Sequence, residues 1–384
     1  MLHDIEFNKL PYQQCIRCIM DTTDPDIRFD ESGICNHCTS ALQKLTRKPY
    51  ALTTEEKKRW FSNLVQQIKK DGEGKQYDCI IGVSGGVDST YVAYLVKNAG
   101  LRPLAVHLDN GWNSELSVMN IKNICHLLSI DLYTEVLDWI KFRDLQLSFF
   151  KASTPDLEIP SDHAIFATLY KMANQYGVKY ILSGSNLATE SILPILWSYG
   201  HYDWRYIKNV NSRFGSKENI KRFPHFSITK FFYYKFIKKI QWISTLDYVH
   251  YDKEEAKQII GRELNWSDYG GKHHESIITK FLQSYILVKK FNIDKRKAHL
   301  SAQIVSGIIS RNEALKELMN PLYKSESDMN NEVDYFCKKF GLPDLEFTRL
   351  MELKPKSFYS YKSYYNSWVG KNLICIYKRL KSIK

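Results

Sequence analysis

Tyr77-Asp78-Cys79-Ile80-Ile81-Gly82-Val83-Ser84-Gly85-Gly86-Val87-Asp88-Ser89-Thr90 opens with a short apolar run and then breaks into small residues. The run reads as a buried parallel strand, because strands covered on both faces are continuously rather than alternately apolar. In Ser84-Gly85-Gly86 the missing Cβ atoms let backbone N–H groups turn toward a ligand. Residues 90–96 continue as a helix. Strand, glycine turn and helix N-terminus together make an anion site, and Asp88 adds a carboxylate where a bound polyphosphate needs a divalent cation. The pattern is neither the Walker A motif, which ends in Gly-Lys-Ser/Thr, nor the Rossmann Gly-x-Gly-x-x-Gly. The plainer alternative is an ordinary βα turn that contains two glycines.

Working outward, residues 104–108 form a second strand ending in Asp109 and Asn110, and residues 132–137 a third. Residues 178–182 form a fourth, ending in Ser183-Gly184-Ser185-Asn186 with Glu190 just beyond. Helical patterns separate them. In an open α/β sheet the strand C-termini face the ligand crevice, so Asp109, Gly184, Asn186 and Glu190 are candidate contacts to nucleotide, magnesium or substrate. For Asp109 and Asn110 a polar turn cap is the competing reading. Asp162 and His163 stand at the start of the helix running through residue 176, near where a substrate lies; a cap plus a satisfied histidine is their bland alternative. The βαβαβαβ order predicts a doubly wound parallel sheet. A fifth strand is expected over residues 243–251, followed by a helix at 253–264.

Ahead of the sheet, Cys15-x-x-Cys18 and Cys35-x-x-Cys38 match a zinc ribbon. Four thiolates close a tetrahedral structural site, and a segment this small needs such a staple for want of a core. His37 is an alternative ligand, and an iron–sulfur cluster an alternative occupant. The N-terminus carries no signal-peptide pattern, which argues against disulfides and for a cytoplasmic protein. Of the other cysteines, Cys79 and Cys125 read as core residues, and Cys337 and Cys375 carry no signal. Residues 49–76 read as linker plus an amphipathic helix capped by Thr53 or Thr54.

The 384 residues suggest two or three domains, partitioned as 1–48 (zinc ribbon), 49–242 (nucleotide domain with an aromatic, basic insertion) and 243–384 (mainly helical, for substrate or partner). There is no run of about 18 apolar residues, so no membrane span is expected. The net charge of +12, from 54 basic and 42 acidic side chains, fits nucleic acid or anionic small substrates. The aromatic, basic stretch 197–242 fits a stacking surface or, more simply, a helical insertion beside the active site. Further on, Lys272, His273 and Glu275 follow two glycines before a helix and could hold a phosphate or handle protons. Arg296 and His299 share a helix face that could bind an anion.

Residues 84–89 resemble the PP-loop of the ATP pyrophosphatase superfamily, whose members cleave ATP between the α and β phosphates and adenylate a carbonyl-type oxygen. The cysteine ribbon, the loop, Gly184-x-Asn186 with Ala188-Thr189-Glu190, Tyr269-Gly270-Gly271-Lys272-His273 and Lys295-Arg296-x-x-His299-Leu300-Ser301 occur in that order. In this combination the chain resembles the N-acetyl sugar amidotransferase family of bacterial O-antigen and surface-glycan biosynthesis. The resemblance implies a PP-loop fold using ATP, Mg²⁺ and Zn²⁺, and conversion of an acetamido group on a nucleotide-linked sugar to an acetamidino group. It also implies ammonia from a separate glutaminase with a cyclase-like subunit. Ser84, Gly85, Gly86, Val87, Asp88 and Ser89 would bind the leaving pyrophosphate, with Asp88 and Asp109 on magnesium. His163, Asn186, Glu190, Lys272 and His273 would position the reacting groups. No membrane or nucleic-acid partner is expected. The runner-up is a tRNA-modifying PP-loop enzyme, a thiolase or a lysidine-forming ligase.

Overall fold

The computed structural model describes residues 11–216, 220–270, 275–368, 370 and 372. Its centre is a five-stranded sheet of β1 (Cys79–Gly82), β2 (Pro103–Asp109), β3 (Asp131–Val136), β4 (Tyr180–Ser183) and β5 (Gln241–Ser244). The order is β3-β2-β1-β4-β5 and every pairing is parallel. The strand order reverses between β1 and β4, so their C-terminal ends part and open a crevice there. The fifth strand lies earlier than expected, at 241–244. Residues 245–248, expected to extend it, wind instead into a 3₁₀ turn. β5 spans the point between residues 242 and 243.

Adjacent strand residues point to opposite faces, and both faces are covered. On one side Cys79 and Ile81 of β1, Ala105 of β2 and Tyr180 and Leu182 of β4 pack under helices α2 (Thr54–Asp71), α3 (Val87–Asn98) and α4 (Glu115–Leu127) and the helix Lys253–Leu264. On the other, Ile80, Leu104, Val106 and Ile181 pack under α6 (Ile159–Gln175). The doubly wound expectation therefore holds. Thr53 caps α2 in a reciprocal box with Glu56, satisfying two backbone donors.

A third, larger core unites the cysteine ribbon, helix α1 (Asn36–Leu45), α5 (Trp139–Ala152), α8 (Trp204–Phe214) and the helical C-terminal region. The aromatic stretch supplies part of these cores. Trp197, Trp204, Tyr206, Phe226 and Tyr234 are all buried, which leaves them filling volume rather than forming a continuous stacking face. Among the described residues no helix is long and apolar enough to cross a membrane.

Candidate active site

At the C-terminal end of β1 the chain turns through residues 84–89 into α3. Gly85 takes φ +79°, and a Cβ there would stand 2.4 Å from the Ser117 carbonyl oxygen, so both backbone angle and space require glycine. Its carbonyl is held by Trp266 Nε1 at 2.9 Å and Asn120 Nδ2 at 3.2 Å. Within the loop, the Ser84 and Ser89 hydroxyls lie 3.2 Å apart, the Ser89 hydroxyl donates to the Gly86 carbonyl at 3.1 Å, and the Gly86 N–H donates to Ser84 Oγ at 3.3 Å. Gly86 is the N-cap of α3 and brings no capping side chain. Gly184, at the end of β4, passes so near that a Cβ would meet the Asp88 carbonyl carbon at 2.8 Å and the Ser89 nitrogen at 2.9 Å.

The loop floors a cleft of about 460 Å³, within the range of small-molecule sites. Ser84, Gly86, Val87, Asp88, Ser89, Gly184 and Glu190 all line it. Asp88 receives the Tyr251 hydroxyl; burial and the Asp88 charge push that phenol well above the usual tyrosine range. Tyr269 accepts the Val87 N–H at 3.2 Å, and burial together with the Glu275 charge raises it too. On the β2 side, His107 lines the cleft, donating through Nδ1 to the Val83 carbonyl at 2.9 Å and accepting from Asn113 at 3.1 Å. That pattern sets a neutral tautomer, and burial lowers its pKa.

Other expected residues do something different. Asp109 turns back on its own loop, accepting from the Gly111 N–H at 2.9 Å and Asn113 Nδ2 at 3.3 Å. It is Asn110 that lines the cleft, donating to Ser161 at 3.2 Å. Asn186 is 4 % exposed and caps the short helix α7 (Leu187–Glu190), accepting from Thr189 N at 3.0 Å. His163 is fully buried between Trp204 and Phe226. Its Nδ1 donates to the His201 carbonyl at 2.9 Å and its Nε2 accepts from Phe226 N at 3.4 Å, which makes it a core histidine with both nitrogens engaged. Burial lowers its pKa to about 4. Arg296 forks onto Asp294 and the Asn320 carbonyl, and His299 Nδ1 meets the Thr189 carbonyl at 3.4 Å, so their shared face is spent on structure. Lys272 and His273 lie outside the described residues.

The cleft lining also carries Asp162, Glu275 and Lys295, which the sequence singled out, and Glu158, Lys253, Ser276 and Thr279, which it did not. Asp162 pairs with His201 Nε2 at 3.1 Å. Burial alone would pull the His201 pKa down, but the Asp162 hydrogen bond and charge outweigh it and the net shift is upward. Glu158 accepts from the Thr279 hydroxyl, and burial, then the Asp162 and Asp156 charges, push its carboxyl up to about 8. The segment 275–277 is pinned beside the β2 loop, with Ser114 N on the Glu275 carbonyl at 3.0 Å and Ile277 N on the Trp112 carbonyl at 2.9 Å. The C-terminal region thus completes the cleft that the glycine loop opens.

The four ribbon cysteines are buried, with ligand atoms all within 4.8 Å of one another. The Cys15–Cys38 and Cys18–Cys35 sulfurs are 3.8 and 3.7 Å apart. A tetrahedral zinc about 2.3 Å from each sulfur spaces its ligands by about 3.8 Å, so the cluster is compatible with zinc. His37 instead contacts Asp24 at 2.6 Å.

Two family models match the chain. One, NAD synthase, spans residues 57–200; the other, the C-terminal domain of the WbpG-like LPS biosynthesis proteins, spans residues 275–374. An uncharacterized protein of Methanocaldococcus jannaschii, MJ1599, is 25% identical over 82% of this chain and 95% of its own length. The tRNA(Ile)-lysidine synthase of Thermus thermophilus is 28% identical over 30% of this chain and 22% of its own. Among solved structures, the NH3-dependent NAD synthetase of Campylobacter jejuni aligns with a TM-score of 0.30, 14% identity and coverage of 57% of this chain and all of that one, too distant to carry an argument. The fold and its loop define a PP-loop nucleotide enzyme with an NAD synthase-like core. More narrowly, the match over residues 275–374 makes the chain similar to the WbpG-like LPS biosynthesis proteins in its C-terminal domain.

Proposed function

We propose that this protein is an ATP-dependent amidotransferase acting in surface-polysaccharide biosynthesis. It adenylates the acetamido group of a nucleotide-linked sugar and replaces the carbonyl oxygen with ammonia nitrogen, giving an acetamidino sugar, AMP and pyrophosphate. The observation that carries this reading is that the WbpG-like segment supplies Glu275, Ser276, Thr279 and Lys295 to the same cleft as the PP-loop. Nucleotide activation and the family-specific substrate wall therefore meet in one space.

The residues fit the chemistry. The 84–89 loop and the α3 N-terminus offer backbone donors to the leaving pyrophosphate. Asp88, in the first turn of α3 and lining the cleft, would hold magnesium, which supplies charge stabilisation on the departing phosphates. Lys253 and Lys295 add positive charge for phosphate or carboxylate groups of the substrate. The acetamido oxygen attacks the α-phosphorus, ammonia adds to the activated carbon, and the original oxygen departs with AMP. Ammonia comes from a separate glutaminase in this reading.

A tRNA-modifying enzyme is the second reading, favoured by the local similarity to a lysidine synthase. A thiolase version is disfavoured by the cysteines. Cys79 is fully buried, with its thiol pushed far up, and Cys125 and Cys337 are pushed up to about 11 by burial; none of these three lines the cleft. The deciding experiment offers ATP and ammonium salt with UDP-diacetamido sugars in one tube and bulk tRNA in another. Sugar-dependent AMP, with ¹⁸O from a labelled acetamido group appearing in AMP, supports the amidotransferase; AMP formed only with tRNA overturns it.

A further inference from the structure

When ammonia adds to the adenylated carbon, its nitrogen becomes positively charged and must lose a proton before the amidine can form. The 84–89 loop offers the phosphates backbone donors and the Asp88 carboxylate. Glu158 and Asp162 line the same cleft four residues apart, Glu158 as the residue capping α6 and Asp162 in its first turn, a spacing that sets them one above the other. Neighbouring groups divide the tasks among the acids. Asp162 is bound to His201 at 3.1 Å. Asp156 is buried, receiving the Ser198 hydroxyl and, at 2.9 Å, the Glu158 N–H. Glu158 is half-buried, faces the cleft, and is steadied by the Thr279 hydroxyl from the C-terminal domain.

We propose that Glu158 is the group that accepts the proton shed by the attacking ammonia nitrogen, an assignment that rests on the amidotransferase reading above. The lone pair of ammonia forms the new C–N bond; Glu158 takes one N–H proton; the C–O bond to AMP then breaks, its electron pair leaving on the AMP oxygen. The product is the amidinium, and no further reactant is needed. Burial raises the Glu158 pKa most, the Asp162 and Asp156 charges add to the rise, and the Thr279 hydrogen bond and the Lys295 charge oppose it. A carboxyl up at about 8 is a stronger base than an ordinary glutamate once ionised. The cationic adenylated intermediate beside it favours ionisation.

The test compares two half-reactions in Glu158→Gln, which keeps the side-chain shape and an acceptor for Thr279. Sugar-dependent ATP–pyrophosphate exchange reports adenylation; acetamidino-sugar formation reports the whole reaction. Ammonia-dependent product formation should fall about 100-fold, with exchange lowered far less. The limb of the pH–rate profile near 8 should vanish while ammonia's own titration stays. Hydroxylamine, whose adduct is acidic enough to lose its proton to water, should restore much of the lost rate, and Glu158→Asp should retain more ammonia-dependent activity than Glu158→Gln. Equal loss in both half-reactions, or product formation at the parent rate, overturns the assignment. Absence of sugar-dependent exchange in the parent protein instead removes the amidotransferase reading itself.

Discussion

The Tyr251 hydroxyl donates to the Asp88 carboxylate across 163 residues of sequence. Asp88 sits in the first turn of α3, and Tyr251 immediately precedes the segment entering the helix Lys253–Leu264, which packs on α3. A hydrogen bond to a charged group is worth about 1.5–3 kcal/mol, here invested in aiming one carboxylate oxygen. Tyr251→Phe should therefore raise the KM for Mg-ATP by about tenfold, 1.4 kcal/mol per decade, with little change in Tm, whereas Asp88→Ala should abolish AMP formation. An unchanged KM in Tyr251→Phe would show that Asp88 is held by other contacts.

Gly184 should tolerate no side chain. The atoms its Cβ would strike are backbone, at Asp88 and Ser89, and backbone at the start of a packed helix cannot rotate aside. Gly184→Ala is expected to cost about 1–3 kcal/mol of stability from overpacking and to displace the loop, with Mg-ATP affinity lost more severely than Tm. Parent-like nucleotide affinity by calorimetry would mean that the loop can shift and still bind.

How much of this was readable depended on how local each signal is. The ribbon and the strand–loop–helix of β1 and α3 are specified by neighbours in sequence, and both were legible as motifs. Their partners were not. Tyr251, which reaches Asp88, and Lys253 and Thr279, which line the cleft, arrive through tertiary packing, which no periodicity encodes; Tyr269 and Lys295 stood out only through the resemblance. The pair Asp162 and His163 is instructive. Successive helical residues are about 100° apart, so one side chain lines the cleft and the next is sealed between Trp204 and Phe226. Asp109 and Asn186 had the right position at strand ends, but short polar side chains there bond their own turn readily. Glu158 carries no motif at all; its significance comes from burial beside Asp156 and Asp162.

The ribbon should act beyond its own boundaries. Ile19 N donates to Ser301 Oγ at 3.2 Å, Arg311 Nε donates to the Cys18 carbonyl at 3.0 Å, and Lys297 pairs with Asp21. The Ser301 and Lys297 contacts tie the cysteine cluster to the helix Arg296–Val305, which packs on α7 and so on the segment bearing Glu190, and Arg311 ties it to the helix that follows. Purified protein should contain zinc. Cys35→Ser or strong chelation should destabilise it by about 5 kcal/mol or more and speed amide exchange across residues 296–305. Metal-free protein with unaltered Tm and exchange would reduce the cluster to four packed thiols.

His163 provides a pH test on stability rather than on rate. Its pKa is about 4 in the folded chain, against about 6.5 when unfolded. Above about 6.5 it is neutral in both states and contributes no pH dependence. As pH falls from there toward 4, only the unfolded chain takes up the proton, so the folded state loses up to about 3 kcal/mol. Glu158 works the other way. Held up at about 8, it stays protonated in the folded chain while its unfolded counterpart ionises, so it stabilises as pH falls from about 8 to about 4. The two effects largely cancel between about 4 and 6.5, and the parent protein's own pH curve reports neither. The informative quantity is the difference between variant and parent. The stability penalty of His163→Gln, measured by denaturant unfolding, should be greatest near pH 7 and shrink steadily toward pH 4. A penalty independent of pH would mean that the folded chain leaves the His163 pKa at its unfolded value. Since His163 stands outside the cleft, the limb of the rate profile near 8 should be the same in His163→Gln as in the parent.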